Sequence, residues 1–314
     1  MKRTILATVL TLAVLTTMAQ ESQTVYNFLR LPVSAHVAAL GGENTTINDD
    51  DASLVYHNPA LAGNVSDRSL SLNMMTYMEG AVTASAGYLR AIGERGTWAV
   101  GAQFMNYGTM KEVNQYGEQT GDFSAKDIAI SGTFAYALTN HISGGITAKA
   151  VTSYIGQYNS LAMGVDLGLN YYDAEEQCSV SAVARNLGGQ LKAYEDDFER
   201  MPLDLQLGVT KRLVGSPLRI SASLVRLNDW QYGIGHHLVV GADVLLSDQF
   251  YVAFGYNALR AKEMKLADDE GSRNHGAGLS IGTGMTLQRL KLHVAYAKYH
   301  VTTGSLLVNF SYSL

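Results

Sequence analysis

Acidic side chains form the first clusters in this sequence that could do chemistry. Residues 49–51 are three consecutive aspartates, and residues 195–197 form a second acidic run. The aspartate run lacks the alternating ligands and central glycine of a calcium-binding loop. Because aspartate at a helix start accepts hydrogen bonds from backbone N–H groups, we expect this run to cap a short helix that ends before Asn58. The run 195–197 is interpreted as a solvated acidic face, with binding of a partner or a divalent ion as the alternative.

Histidines and glycines offer two further patterns. His236 and His237 are adjacent, so on a strand their side chains would point to opposite faces and could not easily bind one metal ion. The four glycines between residues 276 and 284 lack the spacing and the following helix of a phosphate-binding loop, and we expect them to be strand glycines. The sequence predicts no catalytic residue, no cofactor site and no metal site, which favours a protein that is not an enzyme.

The elements that must position these residues alternate with a period of two. From about residue 68 onward, apolar side chains occupy every second position, as in the stretch 161–169, and small or polar residues fill the positions between them. This pattern predicts strands with one apolar face. About fourteen are predicted, near residues 68–78, 81–91, 96–115, 121–138, 141–154, 158–172, 177–187, 202–213, 217–228, 236–247, 249–259, 275–286, 289–301 and 304–314.

Loop lengths distinguish a barrel from a soluble sandwich. The two longest connections, residues 188–201 and 260–274, both follow odd-numbered strands, whereas every connection after an even-numbered strand is short. Short periplasmic turns and longer outer loops are typical of outer-membrane barrels. The ionisable residues in the middle of strands all fall on the small-residue face, where they would line the lumen: Lys149, Asp166, Arg185, Asp204, Asp243 and Lys291. A soluble periplasmic sandwich, in which this face meets solvent, stays open as an alternative.

Composition and charge narrow the function classes. Charged residues make up 16% of the chain, against roughly 25% in ordinary globular domains. The net charge of −5 argues against nucleic-acid binding, because no basic stripe could neutralise phosphates. The single cysteine, Cys178, cannot close an internal disulfide.

Three regions divide the chain. Residues 1–19 carry a basic start, an apolar run and a small residue at Ala19, which predicts a secretory signal peptide. Residues 20–67 lack alternation and are predicted to form an N-terminal hatch or plug. Residues 68–314 are predicted to form the barrel. The fold class is therefore all-β, a transmembrane antiparallel β-barrel of about fourteen strands with an N-terminal hatch, integral to the cell outer membrane.

Sequence motifs in the hatch and barrel resemble those of known outer-membrane proteins. The aspartate run followed by Asn58, Pro59 and Ala60 resembles the hatch motif of the FadL superfamily, whose members are fourteen-stranded barrels with an N-terminal hatch. Residues 29–42, 121–127 and 185–191 are similar to the PorV/PorQ family within that superfamily, which belongs to the type IX secretion system of Bacteroidota.

The resemblance implies a non-enzymatic role in the attachment complex of that system. It implies direct docking of PorZ at the cell surface, with PorU and PorV in the same complex, so that cargo is processed and linked to anionic lipopolysaccharide. The alternative is a FadL-like transporter of hydrophobic small molecules. Residues in the outer loops are the candidates for partner contact: Tyr194, Glu195, Asp196, Asp197, Trp230, Lys262, Lys265, Asp268 and Asp269.

Overall fold

A computed structural model describes residues 24–78, 80–229, 233–268, 271–273 and 276–314 of the chain, with only the backbone described for 266–268 and 271–273. The predicted signal peptide, Trp230 and Asp269 lie outside the described residues.

The strands within the described part, in chain order, are β1 (Ser69–Thr76), β2 (Val82–Ile92), β3 (Gly96–Val113), β4 (Gln119–Ala137), β5 (Ile142–Ile155), β6 (Tyr158–Asp173), β7 (Cys178–Lys192), β8 (Asp204–Arg212), β9 (Leu218–Leu224), β10 (Leu238–Leu245), β11 (Phe250–Asn257), β12 (Leu266–Asp268), β13 (Gly271–Arg273), β14 (Leu279–Leu287), β15 (Leu290–Ala297) and β16 (Ser305–Ser313).

Fourteen of these described strands close into one antiparallel barrel, which confirms the predicted fold class. Each barrel strand pairs with its neighbours in sequence, and β1 pairs with β16 to close the ring, so that Leu72 lies opposite Phe310. The two remaining strands, β12 and β13, pair only with each other, in the connection between β11 and β14. That connection also contains a short helix, α2 (Ala258–Glu263), so the predicted loop 260–274 has local structure of its own.

The wall of the barrel is taller on one side. Strands β3 and β4 span 18 and 19 residues, whereas β9 and β10 span 7 and 8. The pairing of β2 with β3 ends at Asn106, so the tip of the β3–β4 hairpin projects beyond the wall. It projects at the end that carries the connections after odd-numbered strands, here called the outer end. Strand β7 also runs to Lys192, so the predicted loop 188–201 is in fact the connection 193–203.

The two faces of the wall differ as the alternation predicts. In β16 the apolar side chains of Leu306, Val308 and Phe310 are exposed, while Asn309 and Ser311 between them are buried. An outward apolar band is the feature that lets a barrel sit in lipid. The six charged residues predicted to face the lumen are all buried inside the ring.

Residues 24–68 form an N-terminal segment that packs inside the barrel. It contains one α-helix, α1 (Ala35–Ala39), and three 3₁₀ helices, Asn27–Arg30, Ala52–Tyr56 and Pro59–Asn64. Val37 and Leu40 pack in one apolar cluster with inward-facing residues such as Ala253 of β11 and Leu307 of β16. Among the described residues, no helix has the length and apolar character needed to cross a membrane.

Candidate functional site

Four charged side chains join the N-terminal segment to the barrel wall. Ser34 caps α1 by accepting a hydrogen bond from the backbone N–H of Val37, and this places His36 in a fully buried position. His36 Nε2 lies 2.8 Å from Asp243 Oδ1 of β10, and Nδ1 lies 3.3 Å from Asp49 Oδ2. Arg219 of β9 completes the group, which we call the ionic lock: His36, Asp49, Arg219 and Asp243.

Arg219 contacts both carboxylates of the ionic lock. Its Nη1 and Nη2 donate to the two oxygens of Asp49 at 2.6 and 2.9 Å, and its Nε donates to Asp243 Oδ2 at 2.7 Å. Paired donors of this kind give strong, directional hydrogen bonds to a carboxylate. Two cations and two anions therefore neutralise one another between the N-terminal segment and two barrel strands.

The protonation of His36 follows from its neighbours. Burial alone would lower the pKa of the imidazole, but Asp243 and Asp49 outweigh burial and raise the pKa of His36 to about 9. Burial would likewise raise the pKa of the Asp49 carboxyl, yet Arg219 and His36 hold that pKa well below its usual range. At neutral pH the imidazolium and the Asp49 carboxylate are both charged.

The three consecutive aspartates have three different roles. Only Asp51 caps the following 3₁₀ helix, by accepting a hydrogen bond from the backbone N–H of Ser53 at 2.9 Å. Asp49 belongs to the ionic lock, and Asp50 pairs with Lys291 of β15 at 2.5 Å. The prediction that the run caps a helix is therefore correct for Asp51 and wrong for the other two. Their side chains point elsewhere because inward cations of the barrel lie within reach.

The Asn58-Pro59-Ala60 motif lies against Gly168 of β6, where the wall has no side chain. Asn58 caps the 3₁₀ helix Pro59–Asn64 and donates from Nδ2 to Thr45 O at 2.9 Å and to Ser181 Oγ at 3.1 Å. A methyl group added to Gly168 of β6 would lie 2.9 Å from Pro59 Cδ. The motif therefore needs a glycine in the wall opposite it.

A β-bulge between β6 and β7 holds a second buried ion pair. Lys149 Nζ lies 2.8 Å from Asp166 Oδ2 and donates to Asn186 Oδ1 at 2.6 Å. The other Asp166 oxygen accepts the backbone N–H of Asn186 at 2.7 Å, and Asn186 has a left-handed backbone with φ of 59°. Arg185 and Asn186 together face Asp166, so the pairing shifts by one residue at this point.

A small cavity of about 30 Å³ separates this ion pair from the N-terminal segment. Val55, Leu89 and Ala99 give part of its lining an apolar character, whereas Lys149 and Arg185 give another part positive charge. Arg185 also donates to the backbone carbonyl of Leu29 at 2.9 Å. At this size the cavity has room for about two water molecules.

The described candidate partner-contact residues all lie at the outer end. Glu195, Asp196 and Asp197 are exposed in the connection 193–203, and Tyr194 is partly buried. Lys262 of α2 and Lys265 just after it are exposed in the connection between β11 and β14. Asp268 ends β12, and nothing further is described for its side chain.

Sequence reasoning missed three exposed apolar side chains at this same end. Tyr116 at the tip of the β3–β4 hairpin is 79% exposed, Phe198 is 66% exposed and Ile234 is 63% exposed. Their signal in the sequence is a large apolar residue within a polar, glycine-containing or acidic stretch. Each is a single exposed apolar side chain in a separate outer connection, which makes all three candidates for contact with a partner.

Residues 278–282 have the Gly-x-Ser-x-Gly spacing of a hydrolase nucleophile elbow, so an expectation from the sequence that this motif is absent would be wrong. The elbow requires a strained turn between a strand and a helix, but Ser280 lies in β14, paired with Gly255 on one side and Ala297 on the other. The local structure therefore differs from that of a nucleophile elbow. No group of three or more His, Cys, Asp or Glu side chains in the described part of the chain is arranged to hold a metal ion.

Comparisons with known proteins identify the fold. No protein-family model matches the chain, and no curated protein sequence matches it. Among solved structures, the TodX deltaS2S3 mutant monoaromatic hydrocarbon channel is 13% identical, with a TM-score of 0.60, covering 90% of this chain and 99% of that one. The CymD monoaromatic hydrocarbon channel is 12% identical, with a TM-score of 0.57 and coverage of 91% and 98%. A Pseudomonas aeruginosa FadL homologue is 12% identical, with a TM-score of 0.55 and coverage of 90% and 98%.

These neighbours share almost the whole barrel with this chain, and the fold is therefore that of FadL-like outer-membrane barrels. At 12 to 13% identity, the likeness concerns the fold alone. The finer resemblance to the PorV/PorQ family stays a prediction.

Proposed function

We propose that this chain is an integral outer-membrane barrel that holds a partner protein at the cell surface without being an enzyme. In keeping with the resemblance to the PorV/PorQ family, the proposed partner is PorZ, in a complex that also contains PorU and PorV. The observation that carries the proposal is the set of exposed apolar side chains at the outer end, Tyr116, Phe198 and Ile234. Apolar anchors surrounded by polar residues are the usual centre of a protein–protein contact.

The packing of the N-terminal segment inside the barrel supports the same role. The N-terminal segment occupies the lumen and is bound to the wall by the ionic lock and by the Asp50–Lys291 pair. Passage of a solute would require these pairs to separate, and the His36–Asp243 pair among them is fully buried, which makes it costly to break. Docking through the outer loops requires no such opening.

A double substitution tests the docking role. Tyr116→Ser combined with Phe198→Ser should abolish co-purification of PorZ from detergent-solubilised outer membranes, with no change in barrel folding. Val214→Ser is the matched control, because Val214 is 92% exposed in the connection between β8 and β9, at the opposite end. Retention of PorZ by the double variant, with a normal heat-dependent gel shift, would contradict the contact surface.

Transport of hydrophobic small molecules is the second candidate, and the comparisons support it more directly than they support docking. The solved neighbours include hydrocarbon channels. The cavity of about 30 Å³ beside Val55 and Leu89 would have to widen to admit a small apolar molecule. In this case the N-terminal segment would be a gate rather than a permanent plug.

Uptake measurements separate the two candidates. Cells that lack other hydrocarbon channels and express this chain would take up radiolabelled toluene faster than cells without it, if the chain is a transporter. A substitution that narrows the cavity, Ala99→Phe, should then reduce uptake. Uptake equal to that of cells without the chain would exclude this candidate for toluene and leave the docking role intact.

A further inference from the structure

A cavity of about 220 Å³ lies at the outer end of the lumen, apart from the cavity beside Lys149. It is bounded by the N-terminal segment and by the connections that follow β1, β9, β11 and β15. Its lining contains three arginines, Arg30, Arg226 and Arg260, but two carboxylates, Glu43 and Glu263. Positive charge is therefore in excess within this cavity.

Two of the three guanidinium groups have protein partners. Arg260 donates to the carbonyl oxygens of Ala277 at 2.9 Å and Gly278 at 3.0 Å, and it lies 4.5 Å from the ring centre of Tyr299. Arg226 Nη1 pairs with Glu263 Oε1 at 2.5 Å. These contacts hold Arg260 in place. Arg226 uses Nη1 for Glu263, and its other N–H groups can donate to a further acceptor.

Arg30 differs from both. Within the described part of the chain, its guanidinium makes no ion pair, and its Nε is buried without a hydrogen-bond partner. The hydroxyl of Tyr299, on the same cavity wall, is buried beside the Arg260 guanidinium, which has only donors, so its O–H has no acceptor among the described residues. An unsatisfied buried donor costs about 1–3 kcal/mol, and more when it is charged. Two such donors on one wall indicate that an acceptor is missing.

Of the two carboxylates in the cavity, Glu43 neutralises little of the positive charge of the arginines. Burial, together with the neighbouring Asp204, raises the pKa of Glu43 to about 7, so that this group is partly neutral at physiological pH. Burial and the proximity of Arg226 lower the pKa of Arg30 by more than the carboxylates of Asp204, Glu263 and Glu43 raise it.

We propose that this outer cavity binds a phosphate group, with Arg30 as the main ligand and with Arg226 and the Tyr299 hydroxyl as further donors. The planar fork of a guanidinium matches two phosphate oxygens at once. A phosphate has enough oxygens to accept from all three side chains, and its charge offsets the excess of arginine. The phosphate belongs either to free inorganic phosphate or to the phosphorylated sugar headgroup of a glycolipid in the outer leaflet.

Calorimetric titration of the detergent-purified chain in phosphate-free buffer tests the proposal. Inorganic phosphate, glucosamine 6-phosphate, unphosphorylated glucosamine and acetate are the four probes. We expect both phosphates to bind and glucosamine not to bind, with glucosamine 6-phosphate binding tighter if the source is a glycolipid headgroup and inorganic phosphate tighter if it is the free ion. Absence of binding by either phosphate, or acetate binding as tightly as phosphate, would overturn the proposal.

Variants locate the site. Arg30→Gln should weaken phosphate binding by about tenfold, the effect of one lost charge-assisted hydrogen bond of roughly 1.4 kcal/mol. Arg95→Gln is the control, because Arg95 is exposed in the turn between β2 and β3 at the opposite end. If Arg30→Gln fails to show the heat-dependent gel shift of a folded barrel, Tyr299→Phe takes its place, and we expect that variant to bind phosphate several-fold more weakly. Unchanged affinity in a folded Arg30→Gln or Tyr299→Phe variant would place any bound phosphate elsewhere.

Discussion

His36 and Asp243 form a 2.8 Å ion pair between residues 207 positions apart in the chain. His36 belongs to α1 in the N-terminal segment, whereas Asp243 belongs to β10 of the wall. The imidazole also stacks on Tyr251 of β11 with 4.0 Å between ring centres. One fully buried histidine therefore connects the N-terminal segment to two neighbouring strands.

Removal of this histidine should loosen the N-terminal segment. His36→Gln leaves Asp49 and Asp243 with Arg219 as their remaining cation, and breaking a buried ion pair typically costs about 3–5 kcal/mol. Urea titration in detergent micelles should show a lower free energy of unfolding, and trypsin should cleave the segment faster. His141→Gln is the control, since His141 is exposed in the connection between β4 and β5. Equal stability of the two variants would mean that the ionic lock contributes little.

The stability of the chain should fall at alkaline pH. Because Asp243 and Asp49 outweigh the effect of burial, the folded pKa of His36 is about 9 rather than 6.5. A raised folded pKa contributes stability that is complete below pH 6.5 and is lost as the pH rises through 9. The loss is on the order of 3 kcal/mol, and the groups around the imidazole are Asp49, Arg219, Asp243, Tyr251 and His293.

Chemical unfolding at pH 6, 7.5 and 9.5 measures this effect, with His36→Gln as the comparison. The natural chain should lose more stability between pH 6 and 9.5 than the variant does. Parallel pH profiles for both proteins would show that His36 does not carry the dependence.

The ion pair at the β6–β7 bulge should behave as a coupled unit. Lys149→Met leaves Asp166 as an uncompensated buried charge and should cost about 3–5 kcal/mol. Asp166→Asn in the same chain removes that charge and should recover part of the loss. A double-mutant cycle by urea unfolding measures the coupling energy between the two positions. Strictly additive effects would indicate that the pair contributes no net interaction.

The fit of the Asn58-Pro59-Ala60 motif against the wall should depend on Gly168. Gly168→Ala places a methyl group 2.9 Å from Pro59 Cδ, so the segment must shift or the wall must bend. We expect a destabilisation of about 1–3 kcal/mol, the usual cost of overpacking. Gly132→Ala in β4 is the matched control, because nothing lies within 4 Å of the added methyl group. A loss in the control as large as in Gly168→Ala would assign the effect to strand glycines in general.

Much of the barrel could be predicted because its determinants are local. Every predicted strand overlaps a strand of the barrel, and the buried charges Lys149 and Asp243 face inward as their positions predict. The limits of β7 were less accurate, because Gly188 and Gly189 resemble loop residues although they continue the strand to Lys192. The helix α2 was missed because Ala258 and Leu259 continue the apolar character of β11.

The sequence by itself determined the alternation of faces and hence the fold class, since each strand must show apolar side chains on one side and small or polar ones on the other. Which charges meet inside was decided only by the tertiary structure. Asp49, Asp50 and Asp51 are chemically alike in the sequence, yet one joins His36 and Arg219, one joins Lys291 and one caps a helix. The physical reason is that these partners come together only when the ring closes and the N-terminal segment lies within it, and neither event has a local signal in the chain.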